Sequence, residues 1–119
     1  MSAPIQIYKI SAELKKDQFK LLVIPWKLLI ETNRYYEIRE ENGPVKRLYK
    51  EKLNTITMDT KSYANGTIVC SAFCSENYIH QTKKEIVKKL GHIIDSYIEE
   101  LRVNQQTIKE CAPRDIYLG

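Results

Sequence analysis

The last third of the chain constrains its fold most tightly, because helical periodicity runs almost unbroken from Asn77 to about Glu110. Alternating steps of four and three pick out Lys83, Val87, Leu90, Ile94, Tyr97, Leu101, Asn104 and Ile108. Ile79, Ile86, Ile93 and Ile98 widen that seam into a broad apolar stripe, the signature of an amphipathic helix. At 1.5 Å per residue such a helix is roughly 50 Å long, whereas a compact chain of this size has a radius of gyration of only about 13–14 Å. The far end is therefore expected to break, to fold back, or to meet a second subunit.

Everything before the helix reads as short strands with turn punctuation. Ile5, Ile7 and Ile10 open a strand that ends near Leu14, and Lys15 to Gln18 turn the chain into the apolar run Phe19 to Ile24, with Pro25 at an edge or a bend. Trp26, Leu28 and Ile30 alternate with Lys27, Leu29 and Glu31, which places the first three on one face. Thr32-Asn33 turns into a strand over 34–41, with Tyr36 and Ile38 on one side. Asn42-Gly43 signals a two-residue hairpin with both residues at positive φ, and Pro44 favours an edge position for the return strand from Val45 to about Lys50. A short strand is expected around Thr55 to Met58, a second turn at Asn65-Gly66, and a β-branched strand over Thr67 to Phe73. Ser75 suits the N-cap of the long helix, and Pro113 ends it, with Ile116, Tyr117 and Leu118 apolar enough to dock. The fold class is α+β: an antiparallel β-meander of about four to five strands, followed by one long C-terminal helix packed on the sheet, in a single domain over 1–119. Gly91, in the middle of the helix, points to close approach of another element or to a kink.

Composition excludes several classes. Hydrophobic content of 43% with 29% charged residues is that of a globular protein, not of a disordered one. No apolar run approaches the ~20 residues of a membrane span, and Met-Ser-Ala-Pro at the start is not a secretory signal, so the expected compartment is the cytoplasm with no membrane contact. A net charge of +4 permits contact with nucleic acid or an acidic protein and demands neither. Three cysteines without a CxxC pair read as free thiols, Cys70 and Cys74 being too far apart along one strand to bridge. Asn65-Gly66-Thr67 fits a glycosylation sequon but, lacking a secretory signal, reads as a turn.

No motif carries chemistry. There is no nucleophile elbow, no HExxH and no glycine loop for phosphate, with only four glycines in the chain. Cys70, Cys74 and His80 match no zinc spacing, so neither metal nor cofactor is expected and the protein is read as a non-enzyme. Three sets of residues remain as candidate sites. The distal seam Leu90, Ile94, Tyr97, Leu101, Asn104 and Ile108 is the candidate oligomer contact, Asn104 being able to fix register between paired helices. The strand–turn–strand segment with Arg34, Tyr35, Arg39, Lys46, Arg47 and Tyr49 offers cations between aromatic rings, as base stacking requires, but Tyr35 and Tyr36 fall on opposite faces, so only one joins any platform. Tyr78, Lys83 and Lys84 stand at the helix start, where backbone amides favour an anion. Lys88 and Lys89 follow Glu85 at pairing distance along the helix.

In size, lysine-rich usage and its sheet-plus-helix plan without a catalytic motif, the chain is similar to accessory proteins of bacteriophages and mobile elements. That similarity implies a non-enzymatic binder, either an anti-defence inhibitor of a host protein or a sponge for a small phosphorylated ligand. The expected function is a homo-oligomeric cytoplasmic binding protein of this type; the alternative is a nucleic-acid-binding module that uses the basic-aromatic hairpin face.

Overall fold

A computed structural model describes residues 5–59 and 66–112. Six strands, β1 (Ile7–Lys15), β2 (Gln18–Glu31), β3 (Tyr35–Arg39), β4 (Val45–Tyr49), β5 (Thr57–Met58) and β6 (Thr67–Ser75), precede one helix, α1 (Ile79–Cys111). All neighbouring strands are antiparallel, in the order β4-β3-β2-β1-β6-β5. The fold is thus α+β as expected. The meander extends over β1 to β4, and β5 and β6 then join the opposite side of β1. Turn signals reveal where strands end but not which free edge a later strand will take. The Asn65 half of the second turn signal and the tail from Pro113 onward lie outside the described residues, while Gly66 takes φ +70°.

β1 is paired along its whole length with β2 on one side and β6 on the other. One face of these strands carries Ile10, Ala12, Ile68, Cys70, Ala72 and Cys74, all buried. The small side chains leave room for the first turns of α1, where Ile86 is fully buried and the Thr82 hydroxyl meets the Cys74 thiol in a hydrogen bond. The other face is covered by the β3–β4 hairpin: Ile7, Tyr36, Ile38 and Leu48 form a buried cluster with Trp26, Leu28 and Phe73 against it. Trp26 and Phe73 meet edge to face at 5.1 Å. Burial from both sides explains why β6 reads as a nearly continuous apolar run rather than an alternating one.

Local backbone detail departs from the simple patterns in three places. The β2–β3 register shifts between Leu28 and Ile30, leaving Leu29 as an extra residue. The resulting bulge reverses the phase of the strand. Leu28 therefore faces inward opposite buried Ile38, but Ile30 faces outward opposite Glu37 and is 53% exposed, not on the Trp26 face as strict alternation predicts. At Asn42-Gly43 only Asn42 adopts positive φ (+63°), and the Gly43 amide donates to the Glu40 carbonyl at 2.9 Å. Pro44 disfavours helical backbone at the residue before it, and the connection is a longer loop over 40–44 instead of a two-residue turn. Finally, Ser75 donates no side-chain cap; a 3₁₀ turn over Glu76–Tyr78 precedes α1.

Proline placement follows the hydrogen-bond ladder. β4 is an edge strand, as Pro44 suggests. Pro25 pairs with Tyr8 of β1, while β3 pairs only with 27–31 of β2, so among the described residues the other side of β2 at Pro25 carries no ladder that a missing N–H would interrupt.

The chain divides at Lys88 into two compact units. The first holds the sheet and the start of α1. In the second, α1 continues without interruption to Cys111. A Cβ built on Gly91 meets nothing within 4 Å, so neither close approach nor a break explains that glycine. No described helix is long and apolar enough to cross a membrane.

Candidate functional surfaces

The hairpin presents two chemically different faces. Cross-strand pairing sets Tyr35 opposite Tyr49, Glu37 opposite Arg47 and Arg39 opposite Val45, all facing outward. Tyr36, Ile38 and Leu48 face inward and are buried. The two tyrosines therefore do separate, as period-two alternation requires. The outward rings of Tyr35 and Tyr49 meet at 5.8 Å and 64°, and the Arg47 guanidinium lies 4.1 Å from the Tyr35 ring centroid. Arg47 also donates to Glu37 at 3.4 Å. Its pKa is raised above the ordinary value, first by the hydrogen bond to Tyr49, then by the Tyr35 charge and by Glu37. Lys50 is engaged in the same way, donating to Glu31 at 2.7 Å with its ammonium 5.1 Å from the Tyr36 ring. Each of these cations already has a carboxylate and an aromatic partner. On the outward face a nucleic-acid strand would have to draw Arg47 away from Tyr35 and Glu37, which weakens the stacking-platform reading.

Lys46 leaves that face altogether. It belongs to the inward register of β4, and its ammonium lies 5.7 Å from the Phe73 ring centroid. Arg34 stands in the turn before β3, where the Thr32 hydroxyl accepts from the Arg34 and Tyr35 amides. Thus Tyr35, Arg39, Arg47 and Tyr49 share the outward face of the hairpin, Arg34 stands at its end beside Tyr49 and Lys50, and Lys46 belongs to the opposite register.

Between β4 on one side and β5–β6 on the other lies a groove of about 280 Å³. Lys46, Arg47 and Lys52 supply its cations, Thr55 and Thr57 its hydroxyls, and Phe73 its aromatic wall. The curl of the sheet creates it: the stretch after β4 crosses to β6, where the Asn54 amide donates to the Phe73 carbonyl at 2.6 Å. Sequence reasoning selects Lys46, Arg47 and Tyr49 but misses the groove, since Phe73 sits in a run that looks like ordinary core and Thr55 and Thr57 in a segment with little pattern.

At the start of α1, Lys83 and Lys84 line a shallow depression with His80 and Val87. Tyr78 is exposed in the preceding 3₁₀ turn and is not part of that lining. Glu85 accepts from Gln81 at 3.0 Å, one turn back, and no ion pair to Lys88 or Lys89 occurs among the described residues. Cys70 and Cys74 are buried and Cys111 is exposed, and among the described residues none of the three is in a disulfide. Burial raises the Cys74 pKa, and the Thr82 hydrogen bond offsets part of that rise. Among the described residues no cluster of histidine, cysteine, aspartate and glutamate is placed to hold a metal.

The seam of α1 changes character along its length. Leu90 is only 5% exposed, and Ile93, Ile94 and Tyr97 are half-buried. Beyond them every residue from Ile98 to Cys111 is exposed, including Leu101 (60%), Val103 (55%) and Ile108 (59%). Asn104 lies between Leu101 and Ile108 at seam spacing, and Cys111 falls on the next position. Thr107 returns its hydroxyl to the Val103 carbonyl at 2.9 Å, and Gln106 donates to Glu110 at 2.8 Å.

Comparison with protein-family models, with curated proteins and with solved structures returns no match.

Proposed function

We propose that this chain is a non-catalytic binding protein that works as a self-associating assembly, with the outer part of α1 as the contact between copies. The observation that carries this reading is the exposure of Leu101 and Ile108, each more than half open to solvent on one continuous helix. Scattered exposed aliphatics are ordinary. Here, however, Ile94, Leu101 and Ile108 recur every seven residues, with Tyr97 and Asn104 between them and Cys111 on the next position, which is the pattern of paired helices. Leu90 and the half-buried positions belong to the single chain, so the contact centres on Leu101, Asn104 and Ile108, flanked by Ile98.

Magnitudes suggest a weak contact. Burying one large aliphatic side chain contributes about 1.5–3 kcal/mol, so Leu101 and Ile108 from two copies give about 6–12 kcal/mol. Association costs about 4–15 kcal/mol. Two heptads therefore support a concentration-dependent pair, not an obligate one. The assembled sheets then do the binding, either to a partner protein that they block or to a small ligand that they withdraw from solution.

Light scattering of the purified protein across micromolar to millimolar concentrations tests the reading. Average mass should rise with concentration toward twice the chain mass, and Leu101→Glu with Ile108→Glu should hold it at the single-chain value without loss of helicity. A single-chain mass at every concentration, or a pair indifferent to those substitutions, contradicts it.

A further inference from the structure

The groove between the two edges of the sheet gathers positive charge around an aromatic ring. The Lys46 ammonium lies 5.7 Å from the Phe73 ring centroid, and Arg47 and Lys52 line the same groove. No carboxylate lines it, and neither Lys46 nor Lys52 has an ion-pair partner among the described residues. On and just after the hairpin, by contrast, Arg47 and Lys50 each meet a glutamate. Like charges gathered about one cleft repel one another until an anion enters it, and a concave site strengthens that field. The partly exposed Phe73 ring in its wall gives a flat organic group somewhere to lie.

We propose that this groove binds a nucleoside monophosphate, with the phosphate held by Lys46 and Lys52 and the base against Phe73. Size selects the class. Ligand pockets usually run to about 300–1,000 Å³; at about 280 Å³ the groove suits a single nucleotide and is too small for a run of stacked bases. Thr55 lines the groove next to Lys52, to whose carbonyl its amide donates at 3.1 Å, and carries a hydroxyl that suits the phosphate or the ribose. Thr57 is already committed to the Ser71 carbonyl at 3.3 Å and shapes the wall instead. The assignment does not depend on α1 pairing and would stand if that pairing failed.

Trp26 provides a built-in reporter, being the single tryptophan of the chain and edge-on to Phe73. Adenosine monophosphate, uridine monophosphate, inorganic phosphate and adenosine are titrated into the full chain by calorimetry, with Trp26 emission followed in parallel. The monophosphates should bind with a dissociation constant below about 1 mM and at least about tenfold more tightly than phosphate or adenosine alone. Lys46→Ala with Lys52→Ala should weaken binding at least about tenfold, Lys46→Arg with Lys52→Arg should retain it, and Lys88→Ala with Lys89→Ala should leave it unchanged. The arginine pair guards against a loss of fold mistaken for a loss of site. No heat up to millimolar ligand, phosphate binding as tightly as the nucleotide, or indifference to the Lys46 and Lys52 changes would overturn the assignment. So would a short single-stranded oligonucleotide binding more than about tenfold tighter than the monophosphate, which would make the ligand a polymer.

Discussion

Gly91→Ala should stabilise the protein. Gly91 lies inside α1, which runs from Ile79 to Cys111 without a break, and a methyl group at this position meets nothing within 4 Å. Neither a clash nor a positive-φ requirement therefore opposes alanine: the described residues with left-handed backbone are Lys16, Asn42, Asn54 and Gly66. What remains is the intrinsic difference between the residues, about 0.8–1.0 kcal/mol per helix-interior site, which comes from the backbone entropy that glycine loses on folding. For a chain of this length that corresponds to a rise in melting temperature of about 3–5 °C. Urea unfolding followed by far-ultraviolet circular dichroism at low, fixed protein concentration measures it, since any pairing would add a concentration term. The midpoint should rise with the slope unchanged. A neutral or destabilising result would refute either the continuity of the helix through residue 91 or the open space around it. A destabilised variant that recovered on dilution would point to a second molecule lying against Gly91.

Two further outcomes follow from the first unit. Ile86 is fully buried, so Ile86→Ala should cost about 2–5 kcal/mol by equilibrium unfolding, while Val87→Ala, at 48% exposure, should cost less than about 1 kcal/mol; equal losses would place the wrong side of α1 toward the sheet. Cys74 gives a pH signature: burial raises its folded pKa above the ordinary value of 9.0, so the folded state holds the proton longer than the unfolded state does. Its contribution is fully present below the ordinary pKa and lost as pH rises through the raised one, so stability should fall faster above about pH 9 in the native chain than in Cys74→Ala. Parallel pH curves for the two proteins would contradict the burial of that thiol as the cause.

The elements with a strong period were legible from the residues alone. The 3.6-residue spacing from Ile79 onward and the runs at β1, β2 and β6 gave the α+β plan, because burial on one side of a regular element imposes regular spacing. Ile30 shows where that reasoning stops: one inserted residue at Leu29 reverses every later side chain, and nothing in Leu28-Leu29-Ile30 distinguishes a bulge from plain alternation. Ser75 has the right chemistry for a cap, yet the chain spends its first turn as 3₁₀, a choice set by how the strand hands over to the helix. The outward grouping of Tyr35, Arg39, Arg47 and Tyr49 could be read from strand parity, but the capture of Arg47 by Tyr35 and Glu37 depends on cross-strand register. The groove was the least legible feature. Lys46, Lys52 and Phe73 are brought together only because the sheet curls, and curl arises from accumulated twist and bulges that no local pattern reports.

The exposed thiol of Cys111, on the seam just beyond Ile108, offers the most direct measurement of pairing through α1, since Cys70 and Cys74 are buried and resist labelling. A spin label attached there reports the distance between copies by pulsed dipolar spectroscopy. Pairing over Leu101 to Ile108 predicts a defined intermolecular distance that grows in with concentration: short for parallel helices, and about 20–30 Å for antiparallel ones, at 1.5 Å per residue of offset. That signal should vanish when Leu101 and Ile108 are both changed to glutamate. A dipolar background with no defined distance, in a sample concentrated to the millimolar range, would contradict association through this helix.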